Sequence, residues 1–158
     1  MRIYVDDPAV PYKTTKIDPL TTKSEIEGVL ARWGIKKAGW EWDLENDKVV
    51  LEFQYTETVN GVAVSQWVKL EPPTIWNKRP KSHRYGVKNE ESINWAVSMR
   101  TMYWWLKTHM EMIHLQNLDK TTMLLPFIMN AEEKTLSEVL VPKITKALIV
   151  QPSLEDLR

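Results

Sequence analysis

Between residues 49 and 70 the chain reads VVLEFQYTETVNGVAVSQWVKL, two alternating runs joined by Asn60-Gly61. A type I′ turn needs positive φ at both central positions, and Asn-Gly meets that need with little strain, so the pair predicts a tight hairpin. Val49, Leu51, Phe53 and Tyr55 alternate with Val50, Glu52, Gln54 and Thr56, the period-two signature of a half-buried strand. Past the turn, Val64, Val68 and Leu70 take one face, and Trp67 and Lys69 the other. Upstream, Ala38, Trp40 and Trp42 share a face and lead through ENDK into the hairpin. These runs predict an antiparallel meander of three strands, ended by Pro72-Pro73. YKTTKI, Tyr12 to Ile17, offers a fourth strand at the edge.

Helical periodicity takes over on either side. Ile26, Val29, Leu30 and Trp33 fall at i, i+3, i+4 and i+7, with Thr22 and Glu25 spaced as a capping box and Gly34 placed for a left-handed cap. A longer helix is expected from a cap at Asn89 to about Gln116. Its apolar stripe is Trp95, Met99, Met102, Leu106, Met110 and Ile113. A second stripe on that helix holds Arg100, Tyr103, Trp104, Lys107, Glu111 and His114. Asp119 can cap KTTMLL, Pro126 interrupts, and TLSE (Thr135 to Glu138) is a second capping box before Pro142, which is expected to end or kink its helix. The expected fold is α+β: an N-terminal helix, a three- to four-stranded antiparallel meander, a long spine helix packed on the sheet and a short helical C-terminus. Residues 1–20 read as an extended tail, 21–150 as a single domain and 151–158 as a flexible tail.

Composition narrows the function classes. With 158 residues the chain is one domain with room for a sizeable core. Lys plus Arg equals Asp plus Glu at 21 each, so attraction for a polyanion has to come from charge separated locally. The absence of cysteine excludes disulfide frameworks and Cys-based zinc sites. MRIYVDDPAV has no apolar run of signal-peptide length, and no later stretch reaches the roughly 18 apolar residues of a membrane helix. A soluble protein of the cytoplasm is the expectation. Eight tryptophans against two phenylalanines are the anomaly: most suit a Trp-rich core, and an exposed one suits a ligand.

Catalytic signatures are mostly missing. HMEMIH places His109 and His114 five apart, about 140° around a helix, where a zinc-protease motif needs four. Five scattered glycines form no phosphate-cradling loop. Asp43 followed by Glu52-Phe53-Gln54 resembles a metal-dependent nuclease hairpin, but Gln54 stands where the motif carries lysine. That leaves a degenerate nuclease as the third reading. No cofactor and no catalytic or metal-binding residue is assigned.

The remaining feature is IWNKRPKSHRYG, residues 75–86. Lys78, Arg79, Lys81 and Arg84 supply phosphate-neutralising charge without an acid, beside Trp76 and Tyr85, whose rings can stack on unpaired bases. Arg100, Trp104 and Lys107 extend this surface if the loop folds over the helix it precedes. These nine residues form the expected site for single-stranded nucleic acid, bound in a basic cleft without enzymatic turnover. The alternative is a protein-interaction module that binds or inhibits a host factor, with exposed Trp and Arg as its anchors.

The order of KSEIEGVLARWG, a meander, AVSMRTMYWWLKTHMEMI, LLPFI and TLSEVLVPKI resembles a group of small phage- and prophage-encoded proteins, over roughly Lys13 to Ile144. The resemblance implies a role in replication, recombination or takeover of host machinery, in the host cytoplasm. It assigns no residue.

Overall fold

The strand-forming alternation and the helical stripes meet around one apolar centre. The structure, a computed structural model, describes residues 2–77 and 91–149. Over that range the chain is mixed α+β, with four α-helices, a three-stranded antiparallel sheet and a small two-stranded parallel one.

In chain order the elements are β1 (Ile3–Tyr4), α1 (Pro19–Arg32), β2 (Lys37–Asp43), β3 (Lys48–Val59), β4 (Val62–Leu70), β5 (Ile75–Trp76), α2 (Trp95–Leu115), α3 (Lys120–Leu124) and α4 (Leu136–Ile149). Strands β2, β3 and β4 lie in that order. Asn60 and Gly61 adopt φ of 50° and 80°, and Val59 faces Val62 across the turn. The inner face buries Val49, Leu51, Phe53, Tyr55, Val68 and Leu70. Trp40 and Trp42 pair with Leu51 and Val49 on that same side and pack at the margin of the core. Helices α1 and α2 pack against each other and bring Ile26 and Leu30, and Met99, Met102, Leu106 and Met110, into the same core.

Helix α1 starts earlier than the capping-box reading places it. Asp18 caps it, its carboxylate accepting from Leu20 N–H at 2.8 Å, and Pro19 occupies the first helical position, where its missing N–H costs nothing. Thr22 therefore lies inside the helix, fully buried, and its hydroxyl has no hydrogen-bond partner. Glu25 pairs with Arg100 instead of capping. At the other end Gly34, at φ 76°, donates to Ala31 O while Ile35 N–H donates to Leu30 O, a Schellman cap whose Ile35 and Leu30 are both buried.

The first twenty residues are not an extended tail. β1 pairs in parallel with β5, Val5 N–H donates to Trp76 O at 2.8 Å, and Val5 and Val10 bury beside Ile75 and Val97. Tyr12–Ile17 is turn and coil rather than a fourth strand; Tyr12 takes φ 56°, which ordinary strand pairing does not allow. The cap of α2 is Asn94, accepting from Val97 N–H at 3.1 Å, and Asn89 lies outside the described residues. The TLSE box forms: Thr135 N–H donates to the Glu138 carboxylate at 2.7 Å, and Glu138 N–H donates back to the Thr135 hydroxyl at 3.3 Å. Pro142 does not end α4, which continues to Ile149. Residues 151–158 lie outside the described residues. Among those described, no helix is long and apolar enough to cross a membrane.

Candidate functional site

Of the nine residues expected to bind nucleic acid, Lys78, Arg79, Lys81, Arg84 and Tyr85 lie outside the described residues. The chain on either side of them is clamped together. Asn77 N–H donates to Ser92 O at 2.9 Å, Asn77 Nδ2 to Ser92 Oγ at 2.8 Å, and Asn94 Nδ2 to Asn77 Oδ1 at 3.0 Å. Asn77 and Ser92, on either side of that stretch, thus meet beside the first turn of α2.

The other four residues are already engaged within the protein. Trp76 belongs to β5, and Arg2 covers its ring, with the guanidinium carbon 4.4 Å from the centroid; Arg2 also pairs with Glu91. Arg100 has a side chain only 12% exposed; it pairs with Glu25 of α1 and lies over Tyr103 at 4.6 Å. Trp104 stacks on Tyr12, centroids 6.0 Å apart and planes 21° apart, and Lys107 sits over its ring at 4.8 Å while pairing with Glu111 at 3.5 Å. Periodicity identified these residues as a second helical face, but α1 and Tyr12 take up much of that face. Arg100, Trp104 and Lys107 do lie together on successive turns, as part of the packing rather than as an open cleft. Trp76 is separate from them at the helix start.

The tryptophans sort the same way. Trp33, Trp40, Trp42, Trp95 and Trp105 are partly buried at the core margin, with Lys23 near Trp40 and Trp42 and His109 stacked on Trp105 at 3.9 Å. Trp67, at 39% exposure, is the one of the eight that stands exposed. It lies on the outer face of the sheet, opposite Gln54, which in turn lies opposite Lys37. Lys37, Gln54 and Trp67 therefore form a row across all three strands. Thr56 and Ser65 make the adjacent row, their hydroxyls 2.9 Å apart, and Glu52 faces Lys69 on the other side. Beyond Trp67 is a recess of about 450 Å³ bounded by Glu52, Met129 and Glu133. Periodicity alone puts Trp67 and Lys69 on this outward face; cross-strand register adds Lys37 and Gln54. No family model, curated protein or solved structure matches this chain.

The end of the sheet beyond Lys37 is held by a polar relay. Glu57 of β3 accepts from Lys120 N–H at 2.8 Å, Thr121 N–H at 3.2 Å and the Thr121 hydroxyl at 2.8 Å. Because the Thr121 proton is directed to Glu57, the Tyr55 hydroxyl donates to Thr121 Oγ1 across 2.9 Å. Burial pushes the Tyr55 phenol above its ordinary value, and the nearby Glu57 charge adds to the rise. It stays protonated and anchors α3 to the sheet.

The carboxylates of the nuclease reading do not converge. Asp43 pairs in register with Lys48 and accepts from Asn46, whose side-chain bond holds its pKa below the ordinary value. Glu52 lies opposite Gly39, four strand positions from Asp43 and so roughly 13 Å away along the strand. That separation is too great for one ion to bridge.

Proposed function

We propose that this chain binds single-stranded nucleic acid on the outer face of the β2–β3–β4 sheet, taken as a meander with α2 as the spine behind it. The observation that carries the reading is the row of Lys37, Gln54 and exposed Trp67 across the three strands. An indole lying open on a sheet offers a stacking platform for an unpaired base, worth roughly 1–3 kcal/mol, which duplex bases cannot use because they already stack. Gln54 supplies both amide donors and an acceptor for a base edge, and Lys37 a cation for the backbone. Glu52 and Glu133 repel phosphate on the far side of Trp67, so a strand runs with its bases at Trp67 and its phosphates toward Lys37.

Lys78, Arg79, Lys81, Arg84 and Tyr85 belong to the same proposal as a polyanion grip delivered from the clamp at Asn77 and Ser92. A phage or mobile-element source, and action in the host cytoplasm, rest on the likeness of sequence pattern. The second reading, a protein-interaction module, is favoured by Leu140, Val141 and Ile144, which are exposed on α4.

Fluorescence anisotropy of a labelled oligo-dT of about 30 nucleotides at low salt decides between them. Trp67→Ala is expected to weaken binding about 5- to 100-fold, the equivalent of one lost stack. Equal affinity for wild type and variant removes the sheet face from consideration, and no binding at low salt removes the nucleic-acid reading itself.

A further inference from the structure

Strand β3 runs past the beginning of β2. The register starts at Lys37 opposite Gln54, so among the described residues β3 from Tyr55 onward has no strand neighbour on that side. The gap is a recess of about 430 Å³ between the end of α1 and the start of α3, within the roughly 300–1,000 Å³ typical of small-molecule sites.

Lys36, Lys37 and Lys120 converge on it from distant parts of the chain. Lys36 and Lys37 follow the Schellman turn of α1. Lys120 is carried there because Glu57 holds the first backbone groups of α3. None of the three ammonium groups forms an ion pair with a described residue. Glu57, the nearby carboxylate, has both oxygens occupied by Lys120 N–H, Thr121 N–H and the Thr121 hydroxyl, and Asp119 is occupied by Thr122. The three lysines give the recess a positive lining beside the carboxylates of Glu57 and Asp119, and a phosphate dianion supplies an ion partner to ammonium groups that pair with no described residue. The remaining wall suits a nucleoside. Trp33 provides a ring, itself tilted against His114 at 5.2 Å, while Thr56, Ser65 and Gln54 provide hydroxyl and amide groups.

We infer that this recess binds a nucleoside monophosphate, its phosphate monoester held by Lys36, Lys37 and Lys120 and its nucleoside against Trp33. The site shares Lys37 with the stacking face. It rests on the single-strand reading only for one source of the ligand, the phosphorylated end of a strand; the other source is a free nucleotide.

The test is a ¹H–¹⁵N titration of the full chain with dTMP, with thymidine and with inorganic phosphate. Expected are shifts grouped at residues 33–37, 54–56 and 120, with dTMP binding at least about tenfold more tightly than thymidine, as loss of a charge-assisted contact implies. A Lys36→Met/Lys120→Met variant keeps the aliphatic stems and is expected to bind dTMP at least about tenfold more weakly with an otherwise unchanged spectrum. Equal binding of dTMP and thymidine overturns the inference, as do shifts spread evenly over surface lysines such as Lys143 and Lys146. Once dTMP binds, competition by a 5′-phosphorylated but not a 5′-hydroxyl oligo-dT identifies the strand end as ligand, and absence of competition identifies the free nucleotide. Perturbation of Trp67 by the 5′-hydroxyl oligonucleotide reports separately on the single-strand reading, so either one can fail alone.

Discussion

Arg100 shows how one residue's chemistry can point to a ligand while its neighbours decide otherwise. Its guanidinium pairs with Glu25 and stacks on Tyr103 with little exposure, so it joins α2 to α1. Arg100→Ala is expected to lower unfolding stability by about 1–2 kcal/mol, an estimate reduced because Glu25 is partly solvated, and to leave oligonucleotide affinity within about twofold. Chemical denaturation and anisotropy on the same sample check both halves; a large affinity loss at unchanged stability would return Arg100 to the binding surface. Thr22 is the converse case. Its spacing to Glu25 suggests a cap, yet its hydroxyl is buried without a partner, and Val has nearly the same shape. Thr22→Val is expected to be neutral or to stabilise by up to about 2 kcal/mol, since removing an unsatisfied group removes its desolvation cost. A loss above about 1 kcal/mol in urea denaturation would mean that the hydroxyl has a partner after all.

At the scale of elements, local signals are legible and distant pairings are not. The Asn60-Gly61 turn, the Gly34 cap, the Asp119 cap and the Thr135–Glu138 box each depend on residues within a few positions of one another, and the mixed α+β class follows from the alternation and stripes around them. β1 and β5 are two residues each, lie some seventy positions apart and pair in parallel, so no periodicity announces them. Helix α1 begins at Asp18-Pro19, ahead of the Thr22/Glu25 spacing that resembles a capping box. The Thr135 box carries its own pH dependence. Thr135 N–H and hydroxyl hold the Glu138 carboxyl below its ordinary value of 4.5, the backbone bond contributing most. A carboxylate whose folded pKa is depressed contributes its stabilisation above the unfolded pKa and loses it as pH falls through the folded one. Amides in the first turn of α4 are therefore expected to exchange with smaller protection factors at about pH 3 than at pH 7, after correction for intrinsic rates. Glu138→Gln, which cannot lose charge, is expected to flatten that difference; an unaltered pH response in this variant would assign it to Asp119 or another group.

For the whole molecule, the decisive quantity is a balance of charge that sums to zero. A neutral protein has no long-range attraction for a polyanion, so the salt dependence of binding counts only the cations that touch phosphate. The two parts of the proposed interface then respond differently. On that proposal Trp67 contributes stacking, so Trp67→Ala is expected to lower affinity at every ionic strength and to leave the slope of log K against log salt unchanged. Lys78, Arg79, Lys81 and Arg84 release counterions, so replacing all four with Gln is expected to reduce the slope by up to about 3, at roughly 0.7 per phosphate contact on a single strand. Titrations between about 50 and 300 mM salt separate these effects. A slope that survives the fourfold replacement locates the phosphate contacts at Lys36, Lys37 and Lys120, uniting the sheet face with the recess at its end. Binding with no salt dependence at all leaves no phosphate contact, and the stack on Trp67 then has to carry the interface alone.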